Sequence, residues 1–127
     1  MLMSAFFLLT AMGGKGSGFE RAPRVEKNFA VVVVDRSGKQ IDGEKFSWEG
    51  RIHIDGDFGM AKVVVPFDKI KDMTVGEKLS RKVKVSVRLK DGSETTLEVD
   101  ADARCFGEAA FGSFMLTMEE ITSIKFK

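Results

Sequence analysis

Tyrosine is absent from this chain, and cysteine, histidine and tryptophan occur once each, as Cys105, His53 and Trp48. A single cysteine excludes an internal disulfide and any multi-cysteine metal cluster. A single histidine leaves a zinc site short of its usual ligands and would have to stand beside a nucleophile to serve Ser-His or Cys-His catalysis. Net charge is equally scarce. Lys+Arg 20 against Asp+Glu 19 leaves +1, without the basic excess of a nucleic-acid binder. The most apolar stretch, Met1 to Met12, falls short of the roughly 20 residues that a bilayer span needs. The expectation from these absences is a chain that is not an enzyme, with no cofactor, no metal, no nucleic acid and no membrane span.

What the chain does contain is internal repetition. Phe46 to Val75, moved forward by 51 positions, lies without a gap on Leu97 to Phe126. Phe46, Trp48 and Ile52 fall on Leu97, Val99 and Ala103, and Gly56 falls on Gly107. Val65, Phe67, Ile70, Met73 and Val75 meet Leu116, Met118, Ile121, Ile124 and Phe126. Identities are few, but buried or solvated character agrees along the alignment, the mark of a duplicated supersecondary unit. At 127 residues the chain holds one domain, large enough to fold without a metal or disulfides. The expected organisation is a leader over 1–22 and a single domain over 23–127, built of repeats at 28–75 and 82–126.

The leader combines MLMSAFFLLTAM with a Gly-rich stretch from Gly13 to Gly18. Its apolar length suits a secretory signal, and Ala11-Met12-Gly13 is a small-x-small cleavage site, although no basic residue precedes the apolar run. Export to a secreted or periplasmic location is the reading. A retained apolar strand is the alternative, as in a filament or pilus-like subunit that donates Met1 to Met12 to a neighbour.

Beyond Pro23 the pattern is β. Phe29 to Val34 is a strand ending in Asp35-Arg36-Ser37-Gly38, and Phe46 to Ile54 alternates apolar and polar residues as one half-buried strand. Val83 to Leu89 and Thr95 to Ala103 alternate in the same way around Asp91-Gly92. A two-residue turn there would set valines opposite acidic residues, so parity demands a three-residue Lys90-Asp91-Gly92 loop with Gly92 left-handed. Arg88 then faces Glu94, Lys84 faces Glu98 and Lys82 faces Asp100. This converts an apparent phosphate-binding run into a charge ladder. The fold expected is an all-β antiparallel sandwich or flattened barrel of about eight strands with pseudo-two-fold symmetry.

Candidate functional residues are few. Asp55-Gly56-Asp57 lacks the Glu that an EF-hand loop requires, and Glu98, Asp100 and Asp102 spread along one strand face. Trp48 runs in phase with Phe46 and Ile52 and reads as core rather than as a sugar platform. His53 shares a polar face with Arg51 and Asp55. Phe58, Phe106 and Phe111, each followed by Gly or preceding one, read as buried rings at turn entries. Cys105 is in phase with core residues; in a secreted chain an unpaired thiol is also a candidate for an intermolecular disulfide. Val31 to Val34 has no polar face and reads as a strand covered on both sides, by the Met1 to Met12 segment, the loop near Asp42-Gly43 or another chain; for the last case Val32 and Val34 are the candidate partner surface, on a strand expected near a sheet edge. The resulting functional reading is a non-catalytic exported interaction or structural module, with a protein partner or homo-oligomer. A carbohydrate-binding domain or small hydrolase is the rival of another class.

Overall fold

The computed structural model describes Phe19 and residues 21–127; the apolar run and Gly-rich stretch of the leader lie outside the described residues. Ten strands form one antiparallel sheet that curls into a half-barrel around its own core. In chain order they are β1 (Val31–Asp35), β2 (Gln40–Trp48), β3 (His53–Phe58), β4 (Ala61–Pro66) and β5 (Ile70–Leu79), then β6 (Lys82–Leu89), β7 (Glu94–Asp100), β8 (Arg104–Ala109), β9 (Gly112–Thr117) and β10 (Ile121–Phe126). Single 3₁₀ turns, Phe67–Lys69 and Met118–Glu120, lead into β5 and β10. The order across the sheet is β4-β3-β7-β6-β5-β10-β1-β2-β8-β9.

This order is its own mirror under the sequence repeat. Exchanging β1 to β5 for β6 to β10 reverses it from end to end, which is what a two-fold axis between β5 and β10 requires. Across that junction Met73 faces Ile124, and these two residues are themselves 51 apart, so the axis passes through their pair. β3 of the first repeat pairs with β7 of the second, while β8 of the second pairs with β2 of the first. Each repeat therefore lends its outer hairpin to the other. Neither has a complete sheet or a complete core without its partner, so the two fold as one unit.

Two strands more than expected arise from one kind of misreading, made at the same place in each repeat. Phe46 to Ile54 is not one strand. β2 ends at Trp48, and Glu49 (φ 52°) and Gly50 (φ 77°) make a tight turn closed by reciprocal hydrogen bonds between Trp48 and Arg51. Two positive-φ residues define such a turn, and Asn-Gly or Asp-Gly is its usual signal; Glu-Gly hides it. In the second repeat the chain breaks at Asp100 to Ala103, between β7 and β8. The alternation of apolar and polar residues runs on through both turns, so periodicity alone does not reveal them.

The β6–β7 hairpin follows the parity argument. Arg88 faces Glu94, Lys84 faces Glu98 and Lys82 faces Asp100. The loop is Lys90-Asp91-Gly92, with Gly92 at φ 95° and its N–H donating to the Leu89 carbonyl. The β1–β2 hairpin repeats this geometry with Arg36-Ser37-Gly38 and Gly38 at φ 89°. An Asx turn braces each bend, at a different place: Asp35, the last residue of β1, accepts from the N–H and hydroxyl of Ser37, and Asp91, inside its loop, accepts from those of Ser93. The first hairpin sits 54 residues before the second rather than 51. The three additional residues are absorbed in β2, where register shifts between Glu44 and Ser47 and Lys45 takes φ 52°.

The core lies inside the curl. It joins Val31, Val33, Ile54, Ile70, Val83, Val85, Val87, Leu97, Val99, Met118, Ile121 and Ile124 with a cluster of rings formed by Phe29, Phe46, Phe67 and Phe126. The strand expected at an edge is interior: β1 is hydrogen-bonded to β10 on one side and β2 on the other. That position accounts for its composition. Val31 and Val33 are fully buried in the core, while Val32 and Val34 stand half-buried on the outer face opposite Lys125, Asp42, Ser123 and Gln40.

Candidate functional site

Among the described residues the edges of the sheet are β4 and β9, the outer strands of the two lent hairpins. Large exposed apolar side chains gather there. The β3–β4 hairpin presents Phe58 (58% exposed), Met60 (103%) and Val64 (57%), and the β8–β9 hairpin presents Phe111 (78%) and Met115 (37%). The repeat offset of 51 places Met60 on Phe111 and Val64 on Met115. The exposure is thus a property of the repeated unit: an apolar hairpin tip followed, four residues on, by an apolar side chain on the outer strand. Phe58 and Phe111 are not the buried rings expected of them. Of the three phenylalanines so read, Phe106 is buried, against Phe19 at a ring-centroid distance of 5.8 Å and beside the guanidinium of Arg104.

The two edges differ where it matters for pairing. β4 reads Ala-Lys-Val-Val-Val-Pro, and β9 reads Gly-Ser-Phe-Met-Leu-Thr. Lys62 and Pro66 are devices that blunt an exposed edge: the charge resists burial and the proline has no N–H to offer. Their equivalents in β9 are Ser113 and Thr117. The second edge carries neither charge nor proline, and among the described residues no strand covers its outer side.

A second feature is a cleft of about 370 Å³ between Trp48 and the β3–β4 hairpin, lined by Arg51, Asp55, Asp57, Lys62, Lys82 and Asp100. Four of its charges are spent on one another. Asp57 lies 2.7 Å from Lys62 and 3.3 Å from Lys82, which reaches Asp100 at 2.8 Å. Asp55 Oδ1 lies 2.7 Å from His53 Nδ1 without a hydrogen bond between them, and Asp55 Oδ2 lies 3.9 Å from Arg51. Hydrogen bonds from Lys62, and next from Lys82, hold the Asp57 carboxyl below its ordinary range. A general acid needs the opposite shift, so Asp57 is a poor proton donor. Trp48 is buried in the core, and the Arg51 guanidinium lies 5.4 Å from its ring centroid. That geometry does not offer the ring as a sugar platform. Among the described residues no three His, Cys, Asp or Glu side chains are placed so that they could hold one metal ion.

Because Asp57 binds its proton less readily folded than unfolded, its stabilising effect is complete above the unfolded carboxyl value, about 4, and fades as pH falls through the lower folded value. Asp57→Asn is therefore expected to flatten the loss of melting temperature between about pH 5 and about pH 2. Melting curves at stepped pH test this, and a wild-type slope in the variant would remove Asp57 from the account. Asp35, Asp91 and Glu49 carry depressed carboxyls too and act in the same direction. At Glu49 burial works upward and is outweighed by hydrogen bonds from the Arg104 N–H and guanidinium.

Of the ladder pairs, Lys82 and Asp100 form a direct ion pair, whereas Arg88 turns to Asp72 on β5, with Nε at 3.1 Å. Lys84 and Glu98 face each other without an ion pair within 4 Å. Cys105 is corrected as a candidate intermolecular thiol. It is buried with Sγ 3.5 Å from Met118 Sδ, and burial, assisted by the Glu49 carboxylate, pushes the thiol far above its usual range. A protonated thiol sealed in the core cannot meet a second chain. Val32 and Val34 are likewise not at an open backbone edge. The residues that sequence reasoning missed are Met60, Val64, Phe111 and Met115. The repeat alignment pairs Met60 with Phe111 and Val64 with Met115 but gives no sign of their exposure, which the hairpin geometry decides.

No helix among the described residues is long and apolar enough to cross a membrane. No solved structure matches the chain. An uncharacterized protein of Aquifex aeolicus (strain VF5) is 24% identical over 106 residues, covering 84% of this chain and 80% of that one. A family model described as "Uncharacterised protein" matches residues 25–127, the stretch that contains all ten strands. The chain belongs to that family of uncharacterised proteins.

Proposed function

We propose that this protein is a non-catalytic interaction module, exported to a secreted or periplasmic location, that binds protein partners through its two edge hairpins. The observation that carries the reading is that, among the described residues, the large exposed apolar side chains are confined to β3–β4 and β8–β9, with Met60 and Val64 equivalent to Phe111 and Met115. Scattered apolar residues on a surface call for no explanation, whereas apolar residues concentrated on open sheet edges suit strand addition or hairpin docking. The self-paired charges of the Trp48 cleft favour this class over a hydrolase. Export is supported by the signal-like composition of residues 1–13.

A photoreactive residue placed at Met60 or Phe111 is expected to cross-link to protein in the intact cell envelope, while one at Lys39, on the polar β1–β2 turn, gives none. Equal labelling from all three positions, or none from any, would overturn the reading. Intact mass of the extracytoplasmic protein tests export independently. Loss of about 13 residues marks a cleaved signal, and a full-length mass in an assembled fraction favours the filament subunit instead.

A further inference from the structure

We infer that the partner of the β9 edge is a second copy of the same edge, so that two chains join β9 to β9 across a two-fold axis. The inference rests on the reading of the edge hairpins as interaction surfaces and adds the identity of one partner. Three observations lead to it. The repeat places equivalent strands at the two edges, and only one of them is guarded: Lys62 and Pro66 in β4 correspond to Ser113 and Thr117 in β9. Next, β9 is complementary to itself. With Met115 opposite Met115 of the second copy, Ser113 meets Thr117 and Thr117 meets Ser113. No charge opposes a like charge, and the exposed Met115 side chains cover each other. The same operation on β4, centred on Val64, would set Lys62 against Pro66, burying an ammonium beside a residue with no N–H for the ladder. A β4–β9 junction would meet the same two guards once.

The third observation is the sense of the strands. All nine neighbouring pairs in the sheet are antiparallel, and an isologous two-fold junction continues that alternation without a break. A single added strand pair is a small interface, so association in the micromolar range is expected rather than an obligate dimer.

Sedimentation of the full chain, as recovered from its host, should show a monomer–dimer equilibrium, and Met115→Lys, which sets two ammonium groups face to face, should weaken it at least about tenfold. Met115→Cys supplies the geometric test. Directly opposed strand residues lie about 4.5–5.5 Å apart between Cα atoms, within disulfide range. With oxidised glutathione as electron acceptor, two variant chains should therefore close a disulfide dimer as the glutathione is reduced to thiol. Val64→Cys on the guarded edge should not. Full chain that stays monomeric to high micromolar concentration overturns the inference, as does dimerisation only after removal of residues 1–18, which would assign the edge to the leader. Equal cross-linking by the two cysteine variants also overturns it. In each of these cases envelope cross-links from Met60 and Phe111 would leave the interaction-module reading standing, and their absence would remove both.

Discussion

Phe67→Ala is expected to cost about 3–5 kcal/mol of folding stability, a large share of the 5–15 kcal/mol that a domain of this size commands. Phe67 is buried, with its ring centroid 5.4 Å from Phe29, 5.6 Å from Phe46 and 5.0 Å from Phe126. Truncation empties the centre of a four-ring cluster whose members belong to β2, β10, the segment before β1 and the turn after Pro66. These elements cannot all close in together, so a cavity cost adds to the lost transfer energy. Met118 is the equivalent residue of the second repeat, also fully buried, with its sulfur 3.5 Å from Cys105 Sγ. Met118→Ala is expected at the lower end of about 2–5 kcal/mol, because it removes a smaller, more adaptable side chain than a phenyl ring and one without ring partners. Denaturant unfolding of both variants measures the difference. A loss under about 1 kcal/mol for Phe67→Ala, or a larger one for Met118→Ala, would mean that the aromatic cluster is not the centre of the core.

Gly107→Ala should cost about 1–3 kcal/mol and be partly rescued by Phe114→Leu. A β-carbon at Gly107 would stand 2.5 Å from Phe114 Cζ and 3.3 Å from the Glu44 carbonyl oxygen. The Phe114 ring, paired across from Gly107 in the β8–β9 ladder, lies over Gly107 and Gly43 together. The obstruction is the far end of one side chain, so shortening that side chain should leave the double variant more stable than the sum of the single losses predicts. Gly56 is the matching residue of the first repeat, and its obstruction is different. A β-carbon there would lie 3.0 Å from Leu97 Cβ and 3.1 Å from the Glu98 carbonyl oxygen. Backbone cannot be trimmed, so Gly56→Ala should push β3 from β7 and resist rescue by any single side-chain change. Additivity of Gly107→Ala and Phe114→Leu within about 0.3–0.5 kcal/mol would contradict this account.

Much of this architecture was legible in particular residues. The alternation of Val83 to Leu89 and Thr95 to Val99, together with the parity of Lys90-Asp91-Gly92, determined the central hairpin to the residue, because a strand's period of two leaves one register that buries the valines. The offset of 51 determined that two equivalent units are present, with Met73 and Ile124 in equivalent places; that the two face each other on the axis was decided by the pairing of β5 with β10. The same offset pairs Met60 with Phe111 and Val64 with Met115, but the pattern of those segments gives no sign that the side chains face water. Alternation reports which face a side chain occupies. It carries no information on which neighbour a strand chooses, and there only the tertiary structure decided. The two outer hairpins cross to the opposite repeat, and this exchange places β1 in the middle of the sheet and β4 and β9 at its ends. Val32 and Val34 are thereby withdrawn from any open edge, and Cys105 is sealed beneath Met118. Phe58 and Phe111, which local pattern assigns to the interior, are left exposed, since among the described residues a hairpin at the end of the sheet has no further strand beside it.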